Sequence, residues 1–415
     1  MTVATNVRDP ARDLADPFLV RLLRSPWAPL AVGFVAFLLY LPLASQVQRD
    51  RPDFFYLADA FLHGRTWLEP ASWLGPQDIV PLGGHIYVPF GPFPALLFVP
   101  LVAVFGAAGP ASVEFVINAA LAGACVGLAW RLIARFDSGR LGDRVFLVAF
   151  FGFSTDLWSI TVQGGVWHTG QLVAMASLLL ALLEATGRRR PLVMGLLVGA
   201  AFLSRAPILF AVPFFLAVAV FHDGQRWRSI RWRPALRDGA LLVAGLVPFL
   251  AFFAWYNAVR FGSPFESGYG LATLTEPVLI AERAQGLFAL VHIPQNLQYL
   301  LLELPIAAPI PLFLRPDGYG FPLLLQSPAI LLAFKARWRD PLILGAGLTA
   351  LAVLVPSLLY YGGGFYQFGF RYFLDAMPFV LVVVASGART PLSRWWKVLI
   401  VAGIVINAWG VTFSG

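Results

Sequence analysis

Apolar stretches long enough to cross a bilayer recur along the whole chain, and clusters of arginine separate them. A spanning helix needs about 20 apolar residues. Stretches that can serve lie at 27–46, 112–134, 144–161, 168–186, 191–205, 207–222, 239–258, 320–334, 341–360, 373–388 and 397–413. Soluble chains are about 45–50% apolar and about 25% charged, whereas here 59% of residues are hydrophobic and 13% charged. A soluble protein is therefore excluded. Cys125 is the only cysteine, so a disulfide scaffold is excluded as well. The net charge of +8 does not point to nucleic acid, because the basic residues fall between apolar stretches. The expected fold is all-α: one integral-membrane domain over 1–415, a multi-pass cell-membrane protein of about eleven transmembrane helices, with interfacial helices in its first extracytoplasmic loop.

Charge sets the expected topology. Residues 1–26 carry Arg8, Arg12, Arg21 and Arg24, which places the N-terminus in the cytoplasm, and no cleavable signal is read. With eleven crossings, 22 of the 30 Lys and Arg residues fall on inner segments and the C-terminus is outside. The apolar run 92–106 is excluded as a crossing, since 15 residues reach only about 22 Å and Pro100 interrupts them. It is expected to lie on or dip into the outer face. The run 191–222 is expected to cross twice as a kinked hairpin about Ser204-Arg205-Ala206-Pro207.

The acids show the opposite bias, with 13 of 22 on outer segments, of which 47–111 and 259–319 are the long ones. Chemistry is thus expected on the outer face. Asp53 to Gly64 has a helical period: Asp53, Tyr56, Asp59 and His63 share one arc, and Phe54, Phe55, Leu57, Ala58, Phe61 and Leu62 the other. Pro52-Asp53 makes a start and Gly64 a stop, which predicts an interfacial helix with its aromatic face in lipid. Trp67 and Trp73 follow it. No Walker phosphate loop, HExxH, GxSxG or paired CxxC occurs. The Gly123/Gly127 and Gly195/Gly199 pairs predict close helix packing, and the triple glycine 362–364 a flexible turn.

The order of parts carries a resemblance. A first span leads into Asp50-Arg51-Pro52-Asp53 and the amphipathic helix; Gly83-Gly84-His85-Ile86-Tyr87-Val88-Pro89 and Pro92-Phe93-Pro94-Ala95-Leu96-Leu97 follow, and Phe368-Gly369-Phe370-Arg371-Tyr372-Phe373 lies far downstream. This layout resembles the GT-C superfamily of integral-membrane glycosyltransferases, particularly its protein O-mannosyltransferase and aminoarabinose-transferase branch. The resemblance implies an all-helical fold, a polyprenyl-phosphate sugar donor and an acid of the first outer loop acting at the acceptor. Asp53 or Asp50 would match that acid, and Asp156 the second outer-loop acid of the branch. The chain departs from the pattern in having Gly91 before Pro92-Phe93-Pro94, where the branch commonly has a basic residue. Its two loop acids are also separated by Arg51 and Pro52.

Such a transfer needs a base for the acceptor hydroxyl and cations for the phosphate leaving group. Asp53, at the head of an interfacial helix, is the expected base, with Asp50 as the alternative. Arg205 and Arg371 are the expected phosphate ligands, because arginine near the outer end of a span is costly and usually functional; an i,i+4 pair with Asp375 would be the structural alternative for Arg371. His85, Tyr87, Asp156 and His168 would line the substrate pocket. Asp156 could also bind a divalent cation, although one or two scattered acids do not make a metal site. The function expected is hexosyl or pentosyl transfer, inverting, on the extracytoplasmic face, to a lipid-linked glycan, a cell-wall polymer or a protein. A transporter or flippase of a lipid-linked sugar is the alternative; it would more often show paired internal repeats.

Overall fold

The computed structural model describes residues 17–46, 51–221, 232–309 and 313–413. Among these the chain is helical, apart from the two-stranded hairpins Val80–Leu82 with His85–Tyr87 and Ile306–Ala307 with Leu314–Arg315. Asp50 and the arginines 226, 228 and 231 of the expected inner loop lie outside the described residues.

Among the described residues five helices are long and apolar enough to cross a bilayer: Glu114–Ile133, Val166–Ala185, Trp232–Phe261, Pro341–Leu359 and Arg394–Val411. Two bent pairs add to them, Phe18–Arg24 with Ala28–Ala44, bent by 112°, and Leu141–Phe153 with Leu157–Gln163, bent by 45°. The remaining expected spans consist of shorter pieces. The 191–222 run breaks at Arg205 into Pro191–Ser204, a 3-10 turn Ala206–Ala211 and Val212–Val220, since Pro207 removes a helical N–H. The 320–334 run is only Leu323–Gln326 and a 3-10 stretch Pro328–Lys335, interrupted at Ser327-Pro328. The last of these runs opens as a 3-10 turn, Arg371–Asp375, before Met377–Gly387.

Small residues set the helix spacing. Gly33 of Ala28–Ala44 packs against Gly123 and Gly127 of Glu114–Ile133 so closely that a Cβ on Gly33 would lie 2.6 Å from the Gly123 carbonyl oxygen. Gly195 and Gly199 meet the backbone of Leu242 and the ring of Phe249 in the same manner. Both glycine pairs therefore serve close packing, as expected.

The helix Asp53–Leu62 starts and stops as read from the sequence, but its aromatic face is not in lipid. Phe54, Phe55, Leu57 and Ala58 are buried in protein, and Phe55 stacks on Phe98 of helix Phe93–Phe105 at 4.7 Å between ring centroids. The run 92–106 supplies the apolar partner, and mutual burial of two apolar faces replaces burial in lipid.

Two contacts orient the bundle. Thr169 Oγ1 donates to Glu114 Oε1 at 2.9 Å, joining the N-terminal ends of Glu114–Ile133 and Val166–Ala185. Arg135 Nη1 donates to the Leu183 carbonyl at 2.5 Å, joining their C-terminal ends. These helices run parallel, so the arginine-rich turn 135–144 is at the opposite end from residues 164–171.

Candidate active site

At the end carrying residues 164–171 a cavity of about 1010 Å³ opens, and Phe54, Asp78, Trp167, His168, Arg205, Arg260, Tyr269 and Arg371 are in its wall. Several elements meet there. His168 is in the first turn of Val166–Ala185, Arg205 at the break after Ser204, Arg260 in the last turn of Trp232–Phe261, and Arg371 on the 3-10 turn.

The segment bearing Arg371 is anchored from behind. Gly369 N donates to Asp156 Oδ1 at 3.1 Å, and Gln326 Nε2 donates to the same oxygen at 2.5 Å. A Cβ at position 369 would lie 2.5 Å from Asp156 Oδ1 and from Oδ2, so any larger residue there would have to displace the Asp156 carboxylate. Gln171 Nε2 donates to the Arg371 carbonyl at 3.0 Å, and Arg371 N to Gln367 Oε1 at 3.2 Å.

The arginine side chains differ in what they already hold. Arg205 pairs with Asp375, its Nη2 donating to Oδ2 at 2.8 Å and its Nε to both oxygens at 3.2 Å. Asp375 therefore partners Arg205 rather than Arg371, four residues before it. Arg371 is buried, with Nη1 3.4 Å from His168 Nε2 and no acceptor for its Nε–H among the described residues. His168 Nδ1 lies 2.5 Å from the Gly164 carbonyl, which assigns the proton to Nδ1 and leaves the Nε2 lone pair towards Arg371. The Tyr372 ring lies between the two cations, 5.3 Å from the Arg205 guanidinium carbon and 5.1 Å from that of Arg371. Arg260 donates to the carbonyls of Tyr256 and Val88 and to Asn257 Oδ1, and its guanidinium carbon lies 3.7 Å from the Tyr256 ring centroid. Among the described residues neither Arg260 nor Arg371 has a carboxylate partner.

One acid in the cavity wall is Asp78, at φ 55°. Its Oδ2 accepts the Trp167 indole N–H at 2.9 Å. Burial pushes the Tyr269 hydroxyl up to about 12, so it stays a hydrogen-bond donor at neutral pH.

The sequence-predicted site residues fall into two groups. His168, Arg205 and Arg371 come together in the cavity wall. Asp53 does not reach it: its carboxylate is fully buried, and Arg51 Nη2 donates to Oδ2 at 2.6 Å while Nε donates to Oδ1 at 2.9 Å. Burial pushes this carboxyl above its ordinary range, against the hydrogen bonds from Arg51. Arg51 continues to the carbonyls of Gln77 and Asp78, so the pair clamps the strip that carries Asp78. Asp156 lies behind the wall on the Gly369 amide. His85 and Tyr87 are on the hairpin, His85 exposed and 4.2 Å from the Trp67 ring, Tyr87 buried 5.5 Å from Phe261. Among the described residues no three of His, Cys, Asp and Glu gather as a metal ligand set.

Arg260, Asp78 and Trp167 are among the wall residues that the sequence reading did not single out. Arg260 carried a usable signal, since it ends an apolar span on the expected outer side much as Arg205 does. Asp78 and Trp167 carried none beyond membership of outer segments.

No family model matches this sequence, and no curated protein matches it. Solved structures do. The crystal structure of ArnT from Cupriavidus metallidurans in the apo state superposes with a TM-score of 0.50 at 16% identity, over 90% of this chain and 61% of that chain. The same protein bound to undecaprenyl phosphate gives 0.48 at 16%, over the same shares. The Archaeoglobus fulgidus oligosaccharyltransferase tethered to an acceptor peptide gives 0.46 at 14%, over 95% of this chain and 56% of that one. The chain thus shares the fold of the part of ArnT that it superposes on, as the order of its parts suggested. It spans about three fifths of the length of that protein.

Proposed function

We propose that the chain is a membrane glycosyltransferase that moves a sugar from a polyprenyl-phosphate donor to an acceptor hydroxyl. One observation carries this reading. A buried arginine without a carboxylate, Arg371, shares a cavity with Arg205, Arg260 and the acid Asp78. Apolar side chains in the wall, among them Phe54, Phe202, Phe253 and Phe265, would accommodate the lipid of a lipid-linked phosphate. In the reaction the acceptor oxygen bonds to the anomeric carbon as the bond from that carbon to the phosphate oxygen breaks. The polyprenyl phosphate leaves with the bonding pair, and the acceptor proton goes to a carboxylate. Arg371 and Arg205 face the charge that develops on the phosphate, and fixed cations in a water-poor site stabilise it strongly.

Asp78 takes the acceptor proton in this scheme, because its carboxylate is in the wall and keeps Oδ1 free of hydrogen bonds among the described residues. Asp53 acts one step back by holding Arg51 and, through it, residues 77 and 78. The bias of basic residues supports a cytoplasmic N-terminus with the cavity on the extracytoplasmic face. Hexosyl or pentosyl donors, and lipid-linked glycan, cell-wall polymer or protein acceptors, suit a cavity of this size.

The test is transfer in liposomes from a panel of radiolabelled polyprenyl-phosphate sugars to acceptors in a membrane extract. Wild type, Asp78→Asn and Asp53→Asn are run in parallel. The expected result is transfer by wild type and a loss of about 10²-fold or more in a folded Asp78→Asn protein. Full transfer by Asp78→Asn with loss in Asp53→Asn would return the base to Asp53. Movement of the lipid-linked sugar between leaflets without transfer would overturn the enzyme in favour of a flippase.

A further inference from the structure

A row of aromatic rings joins the cations of the proposed reaction to its acid. Tyr372, which lies between Arg205 and Arg371, meets Tyr360 at 6.2 Å between ring centroids. Tyr360 meets Tyr269 at 6.1 Å, Tyr269 meets Phe90 at 6.2 Å, and Phe90 meets Trp167 at 6.4 Å. Trp167 in turn donates its indole N–H to Asp78. All five rings are in the wall of the cavity of about 1010 Å³, and each is half-buried, so each keeps part of its surface uncovered by protein.

The row is assembled by the fold. Its members come from five separate segments: Phe90 follows the first hairpin, Trp167 begins Val166–Ala185, Tyr269 is in the second long outer segment, Tyr360 ends Pro341–Leu359 and Tyr372 is on the 3-10 turn. Successive rings meet at interplanar angles of 74, 84, 86 and 81°. Edge-to-face packing of this kind fixes each ring against the next.

Tyr269, at the middle, has a hydroxyl that makes no hydrogen bond among the described residues. The Tyr372 hydroxyl, by contrast, donates to the Gly362 carbonyl at 3.2 Å. The charges of Arg205 and of Asp78 both act on the Tyr269 hydroxyl, so it is near the phosphate-facing cation and near the acid.

The composition of the row distinguishes between ligands. A polyprenyl chain has no hydrogen-bonding group, and phenylalanines such as Phe202 and Phe253, which meet at 5.2 Å in the same wall, suit it. A sugar offers faces of C–H groups and a rim of hydroxyls. Tyrosine and tryptophan match that combination, with an apolar ring and a polar tip. Small-molecule pockets in general pair an aromatic lining with a few polar groups that fix orientation.

We propose that this row is the subsite for the transferred sugar: a hexose or pentose packs a C–H face on the Tyr269 ring and its neighbours, and the Tyr269 hydroxyl donates to one of its hydroxyl oxygens. The assignment rests on the reading of the cavity as a donor site. The sugar then bridges the cations that face its phosphate and the acid that takes the acceptor proton.

The test titrates the full-length protein in detergent with undecaprenyl phosphate and with its glucosyl, mannosyl and arabinosyl derivatives. The expected result is that wild type binds at least one derivative more tightly than undecaprenyl phosphate. Tyr269→Phe should weaken that derivative about 3- to 10-fold, the worth of one hydrogen bond, and leave undecaprenyl phosphate unchanged. Tyr269→Leu, which removes the ring as well, should weaken the derivative further. Thermal melts establish folding; Tyr269→Phe takes no hydrogen bond from the protein, so it decides if Tyr269→Leu does not fold. Equal affinity of wild type for all four ligands, or unchanged affinity for the derivatives in Tyr269→Phe, would overturn the subsite. Equal weakening of undecaprenyl phosphate and the derivative by Tyr269→Phe would assign the hydroxyl to the phosphate and overturn it too. A wild type that binds none of the four would overturn the donor-site reading itself, an outcome distinct from the others, and the subsite with it.

Discussion

Replacing Arg371 by methionine separates a ligand-binding cation from a structural one. In most proteins removing one partner of a buried ion pair costs about 3–5 kcal/mol, because the other charge is left unpaired. Arg371 is 8% exposed, yet Asp375 bonds Arg205 instead, so its removal breaks no direct ion pair. Its guanidinium contacts are the long one to His168, at 3.4 Å, and the Tyr372 ring, 5.1 Å from its carbon. Methionine fills comparable apolar volume, and the backbone bonds from Gln171 and to Gln367 survive. Folding stability should therefore change by less than about 1 kcal/mol, and the loss of an uncompensated buried charge can raise it. Affinity for polyprenyl phosphate behaves differently. A charge-assisted hydrogen bond contributes about 1.5–3 kcal/mol, so the variant should bind about 10- to 150-fold more weakly. Arg371→Lys, which keeps the charge without the fork, should fall between them. The assay is titration of the purified protein with undecaprenyl phosphate, with thermal melts on the same samples. A melting temperature lowered by many degrees with affinity within twofold of wild type would refute the reasoning and make Arg371 a packing residue.

Asp375→Ala is expected to do the opposite: it strands Arg205, whose side chain is 16% exposed, and should cost about 3–5 kcal/mol in chemical denaturation. At Asp156 the two hydrogen bonds from Gly369 and Gln326 converge on one oxygen. Asp156→Asn can retain both and should keep the fold and phosphate binding, while Asp156→Ala should lose both together, as read by melts and titration. Gly123→Val should prevent the approach of Ala28–Ala44, since a Cβ there would meet the Gly33 oxygen at 2.6 Å; the expected readout is a large drop in folded yield. Burial pushes the Glu282 carboxyl above its ordinary value, and Gln295 donates to it. The folded form therefore holds its proton more tightly than the unfolded chain, whose value is about 4.3. That stabilisation is complete below the unfolded value and is lost as pH rises through the folded one. Glu282→Gln should accordingly gain on wild type in melting temperature between pH 4 and pH 7, and a constant difference would contradict the burial.

The spans were legible because an apolar helix in lipid carries its own signal, and ten of the eleven expected stretches contain a helix of at least nine residues within them or nearly so. Residues 320–334 misled because apolar content says nothing of length once Ser327-Pro328 removes an N–H. The aromatic face of Asp53–Leu62 misled for a related reason. Periodicity tells which residues avoid water, but lipid and protein satisfy that preference equally, and only the packing of Phe93–Phe105 decides between them. The candidate site divides along the same line. Arg205 and Arg371 could be singled out because a charge at the end of an apolar span is expensive wherever its partner lies. Asp53 stands out in the sequence by its place at the head of a helix, whereas the pairing with Arg51, which takes both carboxylate oxygens, is visible only in the structure. Asp78 had no local mark at all. What brings it to the cavity is the indole of Trp167, 89 residues on, and a contact at that separation exists only after the bundle has closed. The acid to test first is therefore one selected by tertiary structure, while the cations it would work with are already exposed by the cost of placing them where they are.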